Sequence, residues 1–136
     1  MRLNAVIDTN VIVSALLTKN PHSPTARIVD AVMDGEICPF HSPAIIDEYR
    51  KVLSRSHFDF DTAIVESVIR QFTNGGRSIT PAEPVGETFP DPDDKVFYCT
   101  ALAAQGDGAA LVTGNARHYP PAPFVVTPAE FAARLP

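Results

Sequence analysis

Short apolar runs alternate with helix-start signals along almost the whole chain, and this alternation restricts the fold more than any other feature of the sequence. Leu3 to Ile7 is an apolar, β-branched run that stops on Asp8, the pattern of a buried strand. Thr9-Asn10 can cap a helix from Val11 to about Leu17. Ser23-Pro24 starts a second helix, with Ile28, Val29, Val32 and Met33 at helical spacing and Gly35 as its stop. Ile37-Cys38-Pro39-Phe40 reads as a second strand, weakened by Pro39, which cannot donate to a ladder. Ser42-Pro43 opens a helix to about Leu53. Asp61 caps another, with Ile64, Val65, Val68, Ile69 and Phe72 on one face and Asn74-Gly75-Gly76 at its end. Residues 77–92 read as a short strand near Ile79 and then a loop. Asp91-Pro92 opens a helix to Gln105. Ala110 to Thr113 and Phe124 to Val126 read as the last strands, and Thr127-Pro128-Ala129-Glu130 is a capping box.

Strands that alternate with helices over 136 residues predict one domain, residues 1–136. The expected fold class is α/β, a three-layer α/β/α arrangement with a mostly parallel sheet of about five strands. In such sheets ligands bind beyond the carboxyl ends of the strands, which points to Asp8 and Asn115.

Composition narrows the function classes. The formal net charge is −5, and no Lys/Arg-rich stripe is present. That argues against holding nucleic acid by bulk phosphate attraction. It leaves room for an enzyme that grips RNA at bound metal ions, because such ions need local acids. Cys38 and Cys99 lie outside any C-x-x-C or zinc-finger spacing and read as buried thiols in a reducing cytoplasm. The first eight residues lack the apolar stretch of a signal peptide, and no apolar run approaches the ~20 residues that span a bilayer. A cytoplasmic protein with no membrane contact is expected.

The acids are distributed unevenly. Asp8 closes the first strand, either as a cap for the next segment or as a site carboxylate. Glu48 lies at the border of the apolar face formed by Ile45, Ile46, Tyr49, Val52 and Leu53. From there it can reach over the sheet edge or pair with Arg50 or Lys51. Asp47 and Lys51 fall on the solvated side. Asp91, Asp93 and Asp94 crowd one helix start, where capping and the helix dipole favour acids. Three acids in four residues exceed what capping needs, and a cation would relieve their repulsion. Asn115 follows Thr113-Gly114 at a strand end, either as a turn residue tolerant of left-handed backbone or as a neutral ligand.

The order of these features resembles the PIN-domain family, particularly the toxins of toxin–antitoxin pairs. The matching segments are Val6-Ile7-Asp8-Thr9-Asn10-Val11; Ser42-Pro43 through Glu48-Tyr49 to Val52-Leu53; Asp91-Pro92-Asp93-Asp94 with Ala101-Leu102-Ala103; and Val112-Thr113-Gly114-Asn115. The resemblance implies an RNase-H-like sheet with four acidic positions around one or two Mg²⁺ or Mn²⁺ ions. These positions are Asp8, Glu48, Asp94 and Asn115, the last departing from the usual Asp. Asp91 and Asp93 would be supporting acids, with Thr9 and Asn10 shaping the first loop. On this reading Asp8 and Asp94 hold metal directly, Glu48 orients the attacking water or completes the metal shell, and Asn115 holds an outer-shell water. The expected function is a metal-dependent endoribonuclease, with RNA as substrate, an antitoxin chain as partner and a homodimer as assembly. Two alternatives are a phosphatase with Asp8 as nucleophile, which Asn10 disfavours, and a non-catalytic RNA- or protein-binding domain, which Asn115 motivates. A receiver domain fits less well, because the acidic pair after the first strand and a later strand-end Lys are missing.

Overall fold

Strand β1 (Leu3–Ile7) lies at the centre of a five-stranded sheet in the computed structural model, which describes residues 2–83 and 89–136. The other strands are β2 (Ile37–His41), β3 (Arg77–Ser78), β4 (Ala110–Val112) and β5 (Val125–Val126). Their spatial order is β3-β2-β1-β4-β5, and every pairing is parallel. Helices α1 (Thr9–Leu17), α2 (Pro24–Met33), α3 (Pro43–Leu53), α4 (Thr62–Asn74), α5 (Lys95–Ala103) and α6 (Pro128–Ala132) complete the element order.

The layers follow from crossover handedness. β1 to β2 and β2 to β3 step one way across the sheet, whereas β3 to β4 returns over two strands. Right-handed crossovers in opposite directions lie on opposite faces. Accordingly α2 packs with α1, α4 and α6, while α5 packs on β1, β2 and β4. The strand order reverses between β1 and β4, so a crevice opens at the carboxyl ends of those two strands. The core fills both interfaces, with Ile7, Ile12, Ile28, Phe40, Tyr49, Phe72, Phe97 and Phe131 buried. Each such side chain contributes about 1.5–3 kcal/mol of burial.

Proline is tolerated inside β2 for a specific reason. The Leu3 N–H donates to the Glu36 carbonyl, so the even-numbered residues of β2 face β1 and the Pro39 nitrogen faces the other edge. There β3 begins pairing only at Phe40, and no ladder bond is lost. A Cβ on Gly76 would fall 2.0 Å from the Pro39 carbonyl oxygen, so only glycine fits that approach. Gly35 ends α2 in the left-handed region, at φ 80°.

Several boundaries differ from the sequence expectations. Helix α1 starts at Thr9 rather than Val11, and Asp8 holds its N-cap position without capping it through its side chain. Ile64 is 52% exposed, because it sits about 90° from the centre of the stripe made by Val65, Val68, Ile69 and Phe72. β3 falls on Arg77–Ser78, just before Ile79, whose N–H still bonds the His41 carbonyl. The helix expected from Asp91 opens as a 3₁₀ turn, Pro92–Asp94, and α5 ends at Ala103. β4 and β5 are each one residue shorter than expected, although Leu111 and Thr113 donate to Phe124 and Val126. Cys99 is buried, whereas Cys38 is only half-buried. Part of the loop expected after Ile79, residues 84–88, lies outside the described residues. Among the described residues, no helix is long and apolar enough to cross a membrane.

Candidate active site

A cleft of about 340 Å³ opens at the crevice between β1 and β4. Asp8, Thr9, Asn10, Glu48, Asp91, Asp93, Asp94 and Asn115 all line it, together with Val13, Val52, Arg55 and Phe58. Every site residue expected from the sequence therefore faces one space.

Asp8 is the most constrained of these residues. It is 5% exposed, and its Oδ2 accepts from the Thr113 hydroxyl at 2.8 Å, the Tyr119 hydroxyl at 2.9 Å and the Asn10 amide at 3.3 Å. Burial raises its pKa, and the Thr113 and Tyr119 hydrogen bonds oppose that rise. The loops after β1 and β4 are tied to each other around this carboxylate. Asn10 Oδ1 accepts from the Gly114 N–H at 3.1 Å, and Thr113 Oγ1 accepts from the Asn115 N–H at 3.0 Å. From behind, the buried Tyr49 hydroxyl donates to the Ile7 carbonyl. Thr9, in the cleft wall, adds a buried hydroxyl with no hydrogen-bond partner among the described residues.

Glu48 is half-buried at the edge of α3, as its border position requires. It does not pair with Arg50, which binds Glu66 at 2.7 Å instead. Desolvation and the nearby Asp93 charge raise its pKa, while Lys51 and Arg55 lower it. Asp94 is pushed up to about 6, first by burial and then by the charges of Asp8 and Asp91, with His118 acting in the opposite direction. Asp91 does cap its turn, accepting from the Asp93 N–H at 2.9 Å, and both Asp91 and Asp93 are exposed. Asn115 is exposed and is not a left-handed turn residue, since its φ is −121°.

The donor set is all oxygen, which suits a hard divalent cation. Mutual repulsion among the acids and the unpartnered Thr9 hydroxyl add to that fit. Among the described residues, however, no three acidic, His or Cys side chains converge as a ready ligand group. A cation here would take one or two carboxylates and keep much of its water, which is how Mg²⁺ is commonly held.

Tyr119, His118 and Arg55 could not be read from the sequence as parts of the site. Tyr119 belongs to no periodic pattern and follows a 3₁₀ turn, Ala116–His118, that carries no capping signal. Thr113 could be read as a strand end, but its grip on Asp8 depends on a pairing 105 residues apart.

A family model described as PIN domain matches residues 4–117. The chain is 29% identical over 119 residues to an uncharacterized protein of Methanocaldococcus jannaschii, covering 85% of this chain and 72% of that protein. No solved structure matches significantly.

Proposed function

The chain belongs to the PIN-domain family, typically nucleases that use divalent metal ions, and from that premise we propose that it is an endoribonuclease hydrolysing RNA with Mg²⁺ or Mn²⁺. The observation that carries this reading is the gathering of Asp8, Glu48 and Asp94 on one cleft at the strand-order reversal. Asp94 and the Asp8 oxygen not already held by Thr113 and Tyr119 would bind the cation. A bound divalent ion makes a water easier to deprotonate and offsets charge that builds on the phosphate. Glu48, its pKa raised by its setting, accepts the proton of the attacking water. The water oxygen forms the new bond to phosphorus as the bond to the leaving ribose oxygen breaks, and that oxygen takes a proton from solvent water to leave as a hydroxyl. Asn115 orients a second water through its amide.

The same reading extends to a toxin of a toxin–antitoxin pair, with a separate antitoxin chain as partner and a homodimer as assembly. A second reading is a non-catalytic RNA- or protein-binding domain. It is favoured by Asn115 at the fourth position and by the lack of a convergent three-ligand group among the described residues. Incubation of the purified protein with structured and single-stranded RNAs, in Mg²⁺, Mn²⁺ or EDTA, separates the two. Metal-dependent cleavage supports the first, and metal-independent binding without cleavage supports the second.

A further inference from the structure

The loop between α3 and α4 carries a stack of three rings. The Phe58 and Phe60 rings lie 5.1 Å apart with planes within 8°, and the exposed His57 ring sits 4.2 Å from Phe58. Phe60 packs against the core and anchors the stack, whereas Phe58 is not part of that contact. Between them Asp59 takes a left-handed backbone, at φ 52°, a conformation costly for most residues and tolerated by Asp. Phe58 lines the acidic cleft. Phe60 lines a second cleft of about 280 Å³, with Ser54, Ser56 and Thr62.

Arg55 lines both clefts and is the one basic residue among the described residues lining the acidic one. It forms no ion pair among the described residues, whereas Arg50 neutralises Glu66 in the wall of the second cleft. Arg55 lies near enough to Glu48 to act on its charge, yet with no close ion pair among the described residues its donors are open to a ligand that brings its own negative charge.

We propose that Arg55 and the Phe58–Phe60 stack form a nucleotide subsite that holds single-stranded RNA next to the acidic cleft. This rests on the ribonuclease reading and names the substrate form it would take. Arg55 contacts the phosphate that bridges the two clefts, and a base stacks against the exposed part of the ring stack. A duplex cannot use such a platform, because its base faces are already covered by neighbouring bases.

The test is binding by wild-type protein in EDTA, read by anisotropy with a short fluorescein-labelled single-stranded RNA and with the same strand annealed to its complement. Wild type should prefer the single strand. Phe58→Ala should weaken single-strand binding about tenfold and leave duplex binding unchanged. Arg55→Gln should reduce the salt dependence of single-strand binding by about 0.7 in log–log slope. The chain has no tryptophan, so Phe58→Trp places a single indole in the subsite, and single-stranded RNA should quench it. That second variant decides the matter even if Phe58→Ala fails to fold. RNA cleavage with no quenching and no loss of affinity would overturn the subsite alone. Quenching without cleavage at any metal would overturn the ribonuclease reading and leave the subsite standing. Loss of self-association in Phe58→Ala with unchanged RNA affinity would assign the rings to a protein interface and overturn the proposal.

Discussion

The Tyr119 hydroxyl donates to Asp8 Oδ2 at 2.9 Å, linking residues 111 positions apart at the carboxylate that follows β1. Thr113 and Asn10 donate to the same oxygen, so one side of Asp8 is fixed by protein groups. A buried carboxylate held this way keeps its orientation, and the geometry presented to a cation is set before the cation arrives.

Tyr119→Phe should therefore act on Asp8 rather than on packing. Loss of one donor should cost about 1–2 kcal/mol of stability and lower cleavage several-fold. It also removes one of the contacts that hold the Asp8 pKa down, so the rise of activity with pH should move to higher pH. Paired pH–rate profiles and melts check this. An unmoved profile would mean that Tyr119 only fills space.

Asp94 predicts a pH-dependent cost in the metal-free protein. Its pKa is raised to about 6 from 3.8, so the folded state holds the proton more tightly than the unfolded state. The stabilising contribution is present below the unfolded pKa and is lost as pH rises through about 6. In EDTA, Asp94→Asn should be more stable than wild type at about pH 7 by on the order of 1 kcal/mol, with the gap closing as pH falls toward 4. Urea melts across that range test it, and a pH-independent gap would contradict it.

Divalent cation should remove the same cost. At a concentration about a hundredfold above its Kd, Mg²⁺ or Mn²⁺ should add about 2.7 kcal/mol and raise Tm on the order of 10 °C. Protons compete for Asp94, so the rise should shrink below about pH 6. An unchanged Tm at millimolar Mg²⁺ and Mn²⁺ would argue against an organised site.

Elements with chemical punctuation were legible from sequence. Ser23, Ser42, Asp61 and Thr127 cap their helices as expected, because a side-chain oxygen before a helix and proline at the first helical position act locally. The parallel sheet was legible from the alternation of strands and helices. The short edges β3 and β5 were less so, since two residues carry no periodicity. At the site, the acids could be named and even Glu48 placed at its border. The contacts that hold Asp8, and the Arg55–Phe58 side of the cleft, arise only when distant segments meet.

Asn115→Asp should raise metal affinity or cleavage. Asn and Asp have nearly the same shape, and Asn115 is exposed in the cleft wall, so packing should change little. A hard cation gains more from a carboxylate than from an amide carbonyl. The added charge should also lower metal-free stability, by repulsion from Asp8 and Asp94. Cleavage rate against Mn²⁺ concentration, with metal-free melting alongside, checks both effects. A lower rate at saturating metal with the fold intact would contradict the assignment.

The decisive measurement is RNA cleavage by wild type, Asp8→Asn and Asp94→Asn in Mg²⁺ or Mn²⁺, with circular dichroism to verify folding. Wild type should cleave RNA, and EDTA should abolish that cleavage. Each variant should lose at least about a hundredfold in rate, about the size expected when a group acting on the transition state is removed. Wild-type rates in both variants, with folds intact, would contradict the central claim that the cleft between β1 and β4 is the catalytic centre.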